Sequence, residues 1–550
     1  MEKCELALFI DKAKQSAMLL LAFMMSFLMS ACTEMTKINL GKEGIIYCSN
    51  GNPESFNPQL STSDTTTDAS SYQIYDRLVE FDPVTNKVMP SLASSWLVKN
   101  NGLVYVFQLR KNVFFHANPS FQPTRAFNAD DVIFSINRWR SWEHPFHDVS
   151  GGYYPYFANI ELDSLIKDIK RVNGYRIEIH LNKPDGSFLA NLATDFAVIL
   201  SAQYGEFLMQ EGLPEQIDQY PIGTGPFQFV KHQKDRYIRY QKNPNYWRDI
   251  PIVDQLIFDI TPASSQRLAK LMTGECDVLR SPTTNELNII RQRENLVLDE
   301  KPGLNLGYWA FNTTKPPFDN PEVRRALAMS IDINTLLDAI YFDSAIPANS
   351  LIPPSSWAHN EELTGVSYNP VLARELLEEN GIEDGFTMDI WAIPVERTYQ
   401  PNAPKMAELM SGFLADIGVG VNIINLDWNT FRRRVAERNY DSILIGWAAN
   451  NGDPDNFYRP LLSCAGVETG SNPANWCSQQ FDELIDEALI YTDETTRAAL
   501  YHSANALIAD QIPLVPIAHA YQYQAYVEQV EGLVINPFGG IRFGGVYKSQ

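Results

Sequence analysis

The sequence predicts an α/β fold, and three observations predict it. Apolar strand-like runs alternate with stretches of helical spacing between residues 386 and 447. Shorter strand-like and helical segments are mixed through the rest of the chain, with no internal repeat or low-complexity tract. At 550 residues the chain exceeds what one hydrophobic core holds, so two or three domains are expected.

Taken in chain order, residues 18–29 form an apolar run broken only by Ser26, preceded by Lys12 and Lys14 and followed by Ser30-Ala31-Cys32. The run is short for a membrane span and reads as an export signal over 1–31. Leu28-Met29-Ser30-Ala31-Cys32 resembles a bacterial lipobox, which would make Cys32 the lipidated first residue of the mature chain. Met29 stands where Leu is preferred and Glu2 and Asp11 spoil the basic start, so simple cleavage after Ala31 is the equal alternative. No later run approaches the roughly eighteen apolar residues of a membrane span.

Beyond the signal, the pattern predicts strands at 103–109, 175–181, 237–240 and 255–260 and helices at 129–138 and 266–271. Asp130 and Asp131 are adjacent, so on a helix they point about 100° apart and form no catalytic carboxylate pair. They suit the first turn of a helix, where acids complement the dipole. Asn320 followed by Pro321 predicts an N-cap and first helical position for a helix over 321–329. Pro302 and Gly303 mark a domain crossing near 301–306, and a return crossing is placed at 518–523.

The next unit reads strand 386–393, helix 403–417, strand 419–426, helix 428–438 and strand 440–447. Met406, Leu409, Met410, Phe413, Leu414 and Ile417 give the first helix its apolar stripe. Two right-handed crossovers make these strands parallel neighbours, which brings the loops at 394–402 and 448–457 to one edge, at the strands' carboxyl ends. The second loop, Ala448-Ala449-Asn450-Asn451-Gly452-Asp453-Pro454-Asp455-Asn456-Phe457, is the strongest binding-loop signal in the chain. A plain solvated turn capped by an Asx motif is its rival reading.

Net charge is −22. The segment 1–31 does not alter it, because Glu2, Glu5 and Asp11 balance Lys3, Lys12 and Lys14. Such a surface disfavours nucleic acid and anionic lipid as partners. Arg432-Arg433-Arg434 reads as the solvated face of a helix. Without Cys4 and Cys32, four cysteines remain, Cys48, Cys276, Cys464 and Cys477, an even number suited to two disulfides in an oxidising compartment, with three connectivities open. Their wide spacings and the lack of nearby paired histidines argue against zinc. Glu143-His144-Pro145-Phe146-His147-Asp148 offers two histidines and acids within six residues, but the proline between them suggests an exposed loop with incidental histidines, and no metal is assigned. The chain has no Gly-x-Ser-x-Gly elbow, no His-Glu-x-x-His and no Gly-Lys-Ser/Thr phosphate loop, so no catalytic residue, no cofactor and no enzymatic role are assigned.

Several motifs resemble one family. They are Pro90-Ser91-Leu92-Ala93-Ser94-Ser95-Trp96, Phe107-Gln108-Leu109-Arg110-Lys111-Asn112-Val113-Phe114-Phe115-His116, and Phe127-Asn128-Ala129-Asp130-Asp131-Val132-Ile133-Phe134-Ser135. Gly223-Thr224-Gly225-Pro226-Phe227, Asn243-Pro244-Asn245-Tyr246-Trp247 and Phe311-Asn312-Thr313 follow in family order. The chain resembles the family 5 extracellular solute-binding proteins of peptide ABC transporters. Within the family, 47–60 and the segment 446–458 resemble the dipeptide-binding receptors and SapA, whose system is tied to antimicrobial-peptide resistance.

The resemblance implies a periplasmic-binding-protein-like fold of class II, cluster C, with two main lobes, an extra small domain, and the ligand enclosed between lobes. It implies domain I from 33–82, 212–302 and 521–550, domain II from 83–211 and domain III from 303–520. It also implies disulfides Cys48 to Cys276 and Cys464 to Cys477, a Gram-negative periplasmic location, an inner-membrane ABC permease as partner, and a monomer.

For the site, the family's carboxylate-pairing arginine falls on Arg397, whose guanidinium fork suits a carboxylate bidentately. The family's amine-pairing aspartate falls on Asn450, which carries no charge. Asp453 and Asp455 read as structural, because the dipeptide receptors resemble the chain there too. Thr62, Ser63 and Asp64 stand where dipeptide receptors have Thr-Ser-Gly near the ligand backbone. Asp64 either crowds that approach, the reading preferred here, or supplies a carboxylate for a cationic ligand. Trp447 and Tyr399 are candidate apolar walls, with core packing as the rival. Losing one member of a buried charge pair costs about 2–5 kcal/mol, so ordinary dipeptides are expected to bind about 30-fold or more weakly than in a receptor with the aspartate. A peptide with its amino end elsewhere, or a carboxylate-bearing molecule such as haem, is expected instead. A trap that sequesters peptides without transport would share the fold.

Overall fold

The structure is a computed structural model and describes residues 44–549. The expected signal at 1–31, Cys4 and Cys32 lie outside the described residues. Among those described, no helix is long and apolar enough to cross a membrane.

A twelve-stranded mixed sheet organises the fold. Its strands are β1 (Gly44–Ser49), β2 (Phe227–Gln233), β3 (Tyr237–Lys242), β4 (Gln255–Ile260), β5 (Val278–Arg280), β6 (Leu296–Pro302), β7 (Asn305–Phe311), β8 (Ala345–Pro347), β9 (Phe386–Ala392), β10 (Val419–Ile424), β11 (Ser442–Ala448) and β12 (Leu514–Val527). The order is β10-β9-β11-β7-β12-β5-β1-β4-β3-β2, with β6 and β8 also on β12. Every residue of β7 is buried, as an all-round apolar strand covered on both faces must be. A separate antiparallel sheet orders Ala93–Lys99, Val104–Leu109, Arg176–Leu181 and Ile166–Asn173. There Ile177, Ile179 and Leu181 alternate inward, so one face packs and the other meets water.

The expected strands and helices fall where the periodicity puts them, with ends moved by a few residues. Helices occupy Ala129–Arg140, Ser264–Thr273, Pro321–Met329, Ala403–Asp416 and Trp428–Ala436. Asn320 caps its helix by accepting from the Glu322 N–H. Asp131 closes a capping box with Asn128 and pairs with Arg125 at 2.6 Å, while Asp130 pairs with Arg171 at 2.9 Å. Arg432, Arg433 and Arg434 are exposed, as the charge run suggested. β9 pairs in parallel with both β10 and β11, so the two loops do leave from one edge.

Two expectations need correction, and a third takes a definite structural form. The loop after β11 is shorter than 448–457, because Asp455–Leu462 is already helix; Asp455 sits in its first turn, where the dipole favours an acid. The return crossing at 518–523 is a continuous strand. Residues 514–520 of β12 pair with β7 and β8 and residues 521–527 with β6, so the chain changes partner between Ala520 and Tyr521 without a turn, and needs neither Pro nor Gly. The histidine segment is a loop with Glu143, Pro145 and Asp148 exposed, but its two histidines are not exposed. His147 is buried and its Nδ1 donates to the Arg138 carbonyl at 2.8 Å; burial and the Arg138 charge push half-buried His144 down to about 4.

Cysteines 48 and 276 are bonded, as are 464 and 477, so one of the three open connectivities is realised and none of the four sulfurs is a free thiol. The first bond ties β1 to the residue two before its parallel neighbour β5, across a separation of 228 residues. Asn305 pins the two chain passages between the halves of the sheet. Its amide donates to the Ala520 carbonyl at 2.9 Å and accepts from the Ala520 N–H at 2.8 Å, and its own carbonyl accepts from His519 at 2.7 Å.

Candidate ligand site

Strand direction decides which loops face one another. β9, β10 and β11 run parallel and end at the same edge, next to Asn305, because Asn305 is opposite Ala448 in the antiparallel β7–β11 pair. In the other half of the sheet β1 is parallel to β4 and β5. Arg280, the last residue of β5, is opposite Gln524, four residues along β12 from the point where that strand changes partner. Both halves therefore turn the carboxyl ends of parallel strands toward the crossing, the place where open α/β sheets hold ligands.

On the far half, Arg397 stands on the loop after β9. It is exposed, donates from Nη1 to the Glu396 carbonyl at 3.3 Å, and lies 5.7 Å from the Trp428 ring centroid. It makes no ion pair among the described residues. Tyr399, two residues on, is half-buried, and its carbonyl accepts from the Tyr341 hydroxyl at 2.9 Å. Burial raises its hydroxyl pKa, the neighbouring Arg397 lowers it, and the charge of Asp64 raises it.

Two glycines make the seat for this loop. Gly307 and Gly446 are directly opposite in β7 and β11. A Cβ on Gly446 would collide with the Tyr399 ring and the Leu306 carbonyl, and one on Gly307 with the Tyr399 carbonyl and the Tyr341 hydroxyl. Gly446→Ala is expected to lift Tyr399, and Arg397 with it, costing about 1–3 kcal/mol of stability and weakening capture of a carboxylate. Thermal melts and titration with a free peptide check this; an unchanged melt and affinity would mean that the loop is not seated on the glycine pair.

Trp447, opposite Leu306, is half-buried, and its Nε1 has no hydrogen-bond partner among the described residues. Asn450 is half-buried, and its backbone N–H donates to the Asn456 side chain at 3.0 Å. The acids after it are committed. Asp453 receives both terminal nitrogens of Arg497 at 2.7 Å each, and Asp455 receives Arg459 Nε at 2.9 Å. Arg397, Tyr399, Trp447 and Asn450 thus share one edge.

On the near half, Thr62 and Asp64 are exposed and Ser63 is half-buried. Ser63 caps the helix Asp64–Ser70, accepting from the Thr66 N–H at 3.3 Å. Asp64 is the first helical residue and has no left-handed φ, so the backbone here does not need glycine, and its side chain is exposed.

Sequence reasoning missed four residues here. Asp68, four residues along the helix from Asp64, is buried, accepts from Tyr47 at 2.9 Å and Arg280 at 2.5 Å, and has its pKa pushed by burial up to about 6. Asn451, 1% exposed, donates to Asn191 Oδ1 at 2.8 Å and ties the loop to the helix Phe188–Leu192. Arg280 and Tyr341 complete the set. The carboxyl-edge rule applied to residues 278–280 would have found Arg280, and helical i, i+4 spacing from Asp64 would have found Asp68. No sequence signal marked Asn451 or Tyr341 above their neighbours.

Comparison with known proteins gives concordant results. The middle region of the bacterial extracellular solute-binding proteins, family 5, matches residues 87–469. The chain is 43% identical to the dipeptide-binding protein of Escherichia coli K12 over 502 residues, 91% of this chain and 94% of that one. It is 39% identical to the probable ABC transporter periplasmic-binding protein SapA of the same organism, covering 92% of each chain. It is 40% identical to heme-binding protein A of Haemophilus influenzae, covering 91% of each. Among solved structures it resembles a dipeptide binding protein of Pseudoalteromonas sp. SM9913 in complex with Met-Leu, at TM-score 0.81 and 45% identity over 92% of this chain and all of that one. These similarities establish the periplasmic-binding-protein fold of class II, and the matched proteins are binding proteins rather than enzymes.

Proposed function

Because the chain belongs to the family 5 bacterial extracellular solute-binding proteins, we propose that it is the periplasmic receptor of a peptide-type ABC importer, with a role like that of the SapA receptors in resistance to antimicrobial peptides. It captures a peptide between two lobes that meet where β12 changes partner, and hands the closed form to an inner-membrane permease. Ligand touching both sets of strand ends selects the closed form, so no chemistry on the ligand is required. The surrounding charge of −22 favours approach of cationic peptides.

The observation that carries this reading is Arg397, an arginine free of any carboxylate among the described residues, at the carboxyl edge and matched to the carboxylate-pairing position of dipeptide receptors. The uncharged Asn450 on the same edge separates the chain from those receptors and makes ordinary dipeptides weak ligands. Lobes drawn as 33–82 with 212–302 and 521–550, as 83–211, and as 303–520 fit the partner change in β12. Export by cleavage after Ala31, or anchoring through a lipidated Cys32, puts the receptor in the periplasm as a monomer.

Similarity to a heme-binding protein favours one second reading, a carboxylate-bearing apolar ligand held by Arg397 between Trp447 and Tyr399. A native mass spectrum of the protein as purified separates the two. Co-purified peptide masses support the peptide receptor, a haem mass supports the second reading, and peptide capture without retention of the permease on a pull-down indicates a trap.

A further inference from the structure

We propose that Asp64 is the amine-binding anion of this site for peptides longer than a dipeptide: such a peptide lies with its carboxylate on Arg397 and its ammonium turned away from Asn450 onto Asp64. The inference rests on the peptide-receptor reading and adds to it the polarity of the bound ligand.

Three observations converge. First, Asp64 is uncommitted within its own half of the fold. Ser63 caps the helix, Asp68 takes the Arg280 guanidinium and the Tyr47 hydroxyl, and the exposed Asp64 carboxylate makes no ion pair among the described residues. Second, the segment that bears it follows the carboxyl end of β1, which runs parallel to β5 and turns toward the crossing, as do the ends of β9 and β11 that lead into Arg397 and Asn450. Third, although more than 300 residues away in sequence, Asp64 is close enough for its charge to act on the Tyr399 hydroxyl, the group that also feels Arg397, and on Arg280 in its own half. The Tyr399 hydroxyl thus lies within electrostatic reach of both Asp64 and Arg397, an anion from one half of the fold and a cation from the other.

This arrangement has a functional consequence. An amine held by an aspartate at position 450 and a carboxylate held by Arg397 would both contact the same half of the fold. With Asp64 as the anion, the two charged ends of the ligand are held by opposite halves, so the charges themselves favour closure. A ligand lacking a free amine loses that link.

The test uses protein unfolded and refolded free of co-purified ligand. Calorimetric titration with di-, tri- and tetra-alanine, each free and N-acetylated, is run on wild type and Asp64→Asn. In wild type the best free peptide is expected to bind about tenfold or more tightly than its acetylated form. In Asp64→Asn the ratio falls to about one while the melting temperature holds, since the residue is exposed and Ser63 still caps the helix. An acetylation penalty that persists in Asp64→Asn overturns the assignment of Asp64 and leaves the receptor reading standing. Absence of binding by every peptide, free or acetylated, overturns the receptor reading and this inference with it.

Discussion

Asn450→Asp is expected to tighten binding of a free dipeptide by about 30-fold or more, the largest functional effect of any single substitution in the site. A desolvated amine–carboxylate contact is worth about 2–5 kcal/mol measured by truncation, and the proposed reading puts that carboxylate of the dipeptide receptors at position 450. The local structure tolerates the new charge. Asn450 is fixed through its backbone by Asn456 at 3.0 Å, and the exchange is isosteric. The two following acids are already neutralised, Asp453 by Arg497 at 2.7 Å and Asp455 by Arg459 at 2.9 Å, so an added carboxylate does not join an unpaired acidic cluster. Calorimetry with Met-Leu on ligand-free wild type and variant gives the comparison. An unchanged affinity would mean that the amine of a dipeptide never reaches position 450.

Asp453→Ala is expected to cost about 3–5 kcal/mol, the largest stability effect near the site. Both side chains of the Asp453–Arg497 pair are about 5% exposed or less, so removing the carboxylate strands a buried guanidinium. Arg497 lies 5.2 Å from the Trp357 ring centroid and bonds Tyr501 at 3.1 Å, contacts that do not replace an anion. The Asp453 N–H also bonds Asn451, so the loop bearing Asn450 is expected to loosen with the pair. A denaturation midpoint gives the magnitude. The exposed Lys87–Glu494 pair, at 3.6 Å, is the control, and Glu494→Ala is expected to change stability by about 0–1 kcal/mol. Equal effects at both pairs would show that burial is not what gives the first its weight.

Local periodicity made the 386–447 unit legible. The apolar stripe on 403–417 and the runs on either side of it specify parallel strands and, through them, the edge that the loops of Arg397 and Asn450 share. The cap at Asn320 and the capping box at Asn128 and Asp131 were legible for the same reason, since each involves residues within one turn. What pattern could not show is what distant segments do to one another. Asn305 bonding Ala520, Asn451 bonding Asn191 and Asp68 bonding Arg280 each join residues more than 200 apart in sequence. The crossing in β12 was hard to place because a strand that changes partners needs no turn residue. His147 was misjudged because Pro145 argued for a surface loop, whereas the Arg138 carbonyl supplied a buried partner.

On the proposed reading, in which uncharged Asn450 stands where dipeptide receptors carry the amine-pairing aspartate, ordinary dipeptides are held poorly. The most direct measurement is calorimetric titration of the refolded, ligand-free wild-type protein with free dipeptides such as Met-Leu and Ala-Ala. The predicted result is binding weaker than about the micromolar range, where the loss of one desolvated charge pair leaves it. Micromolar or tighter binding of those dipeptides would contradict it.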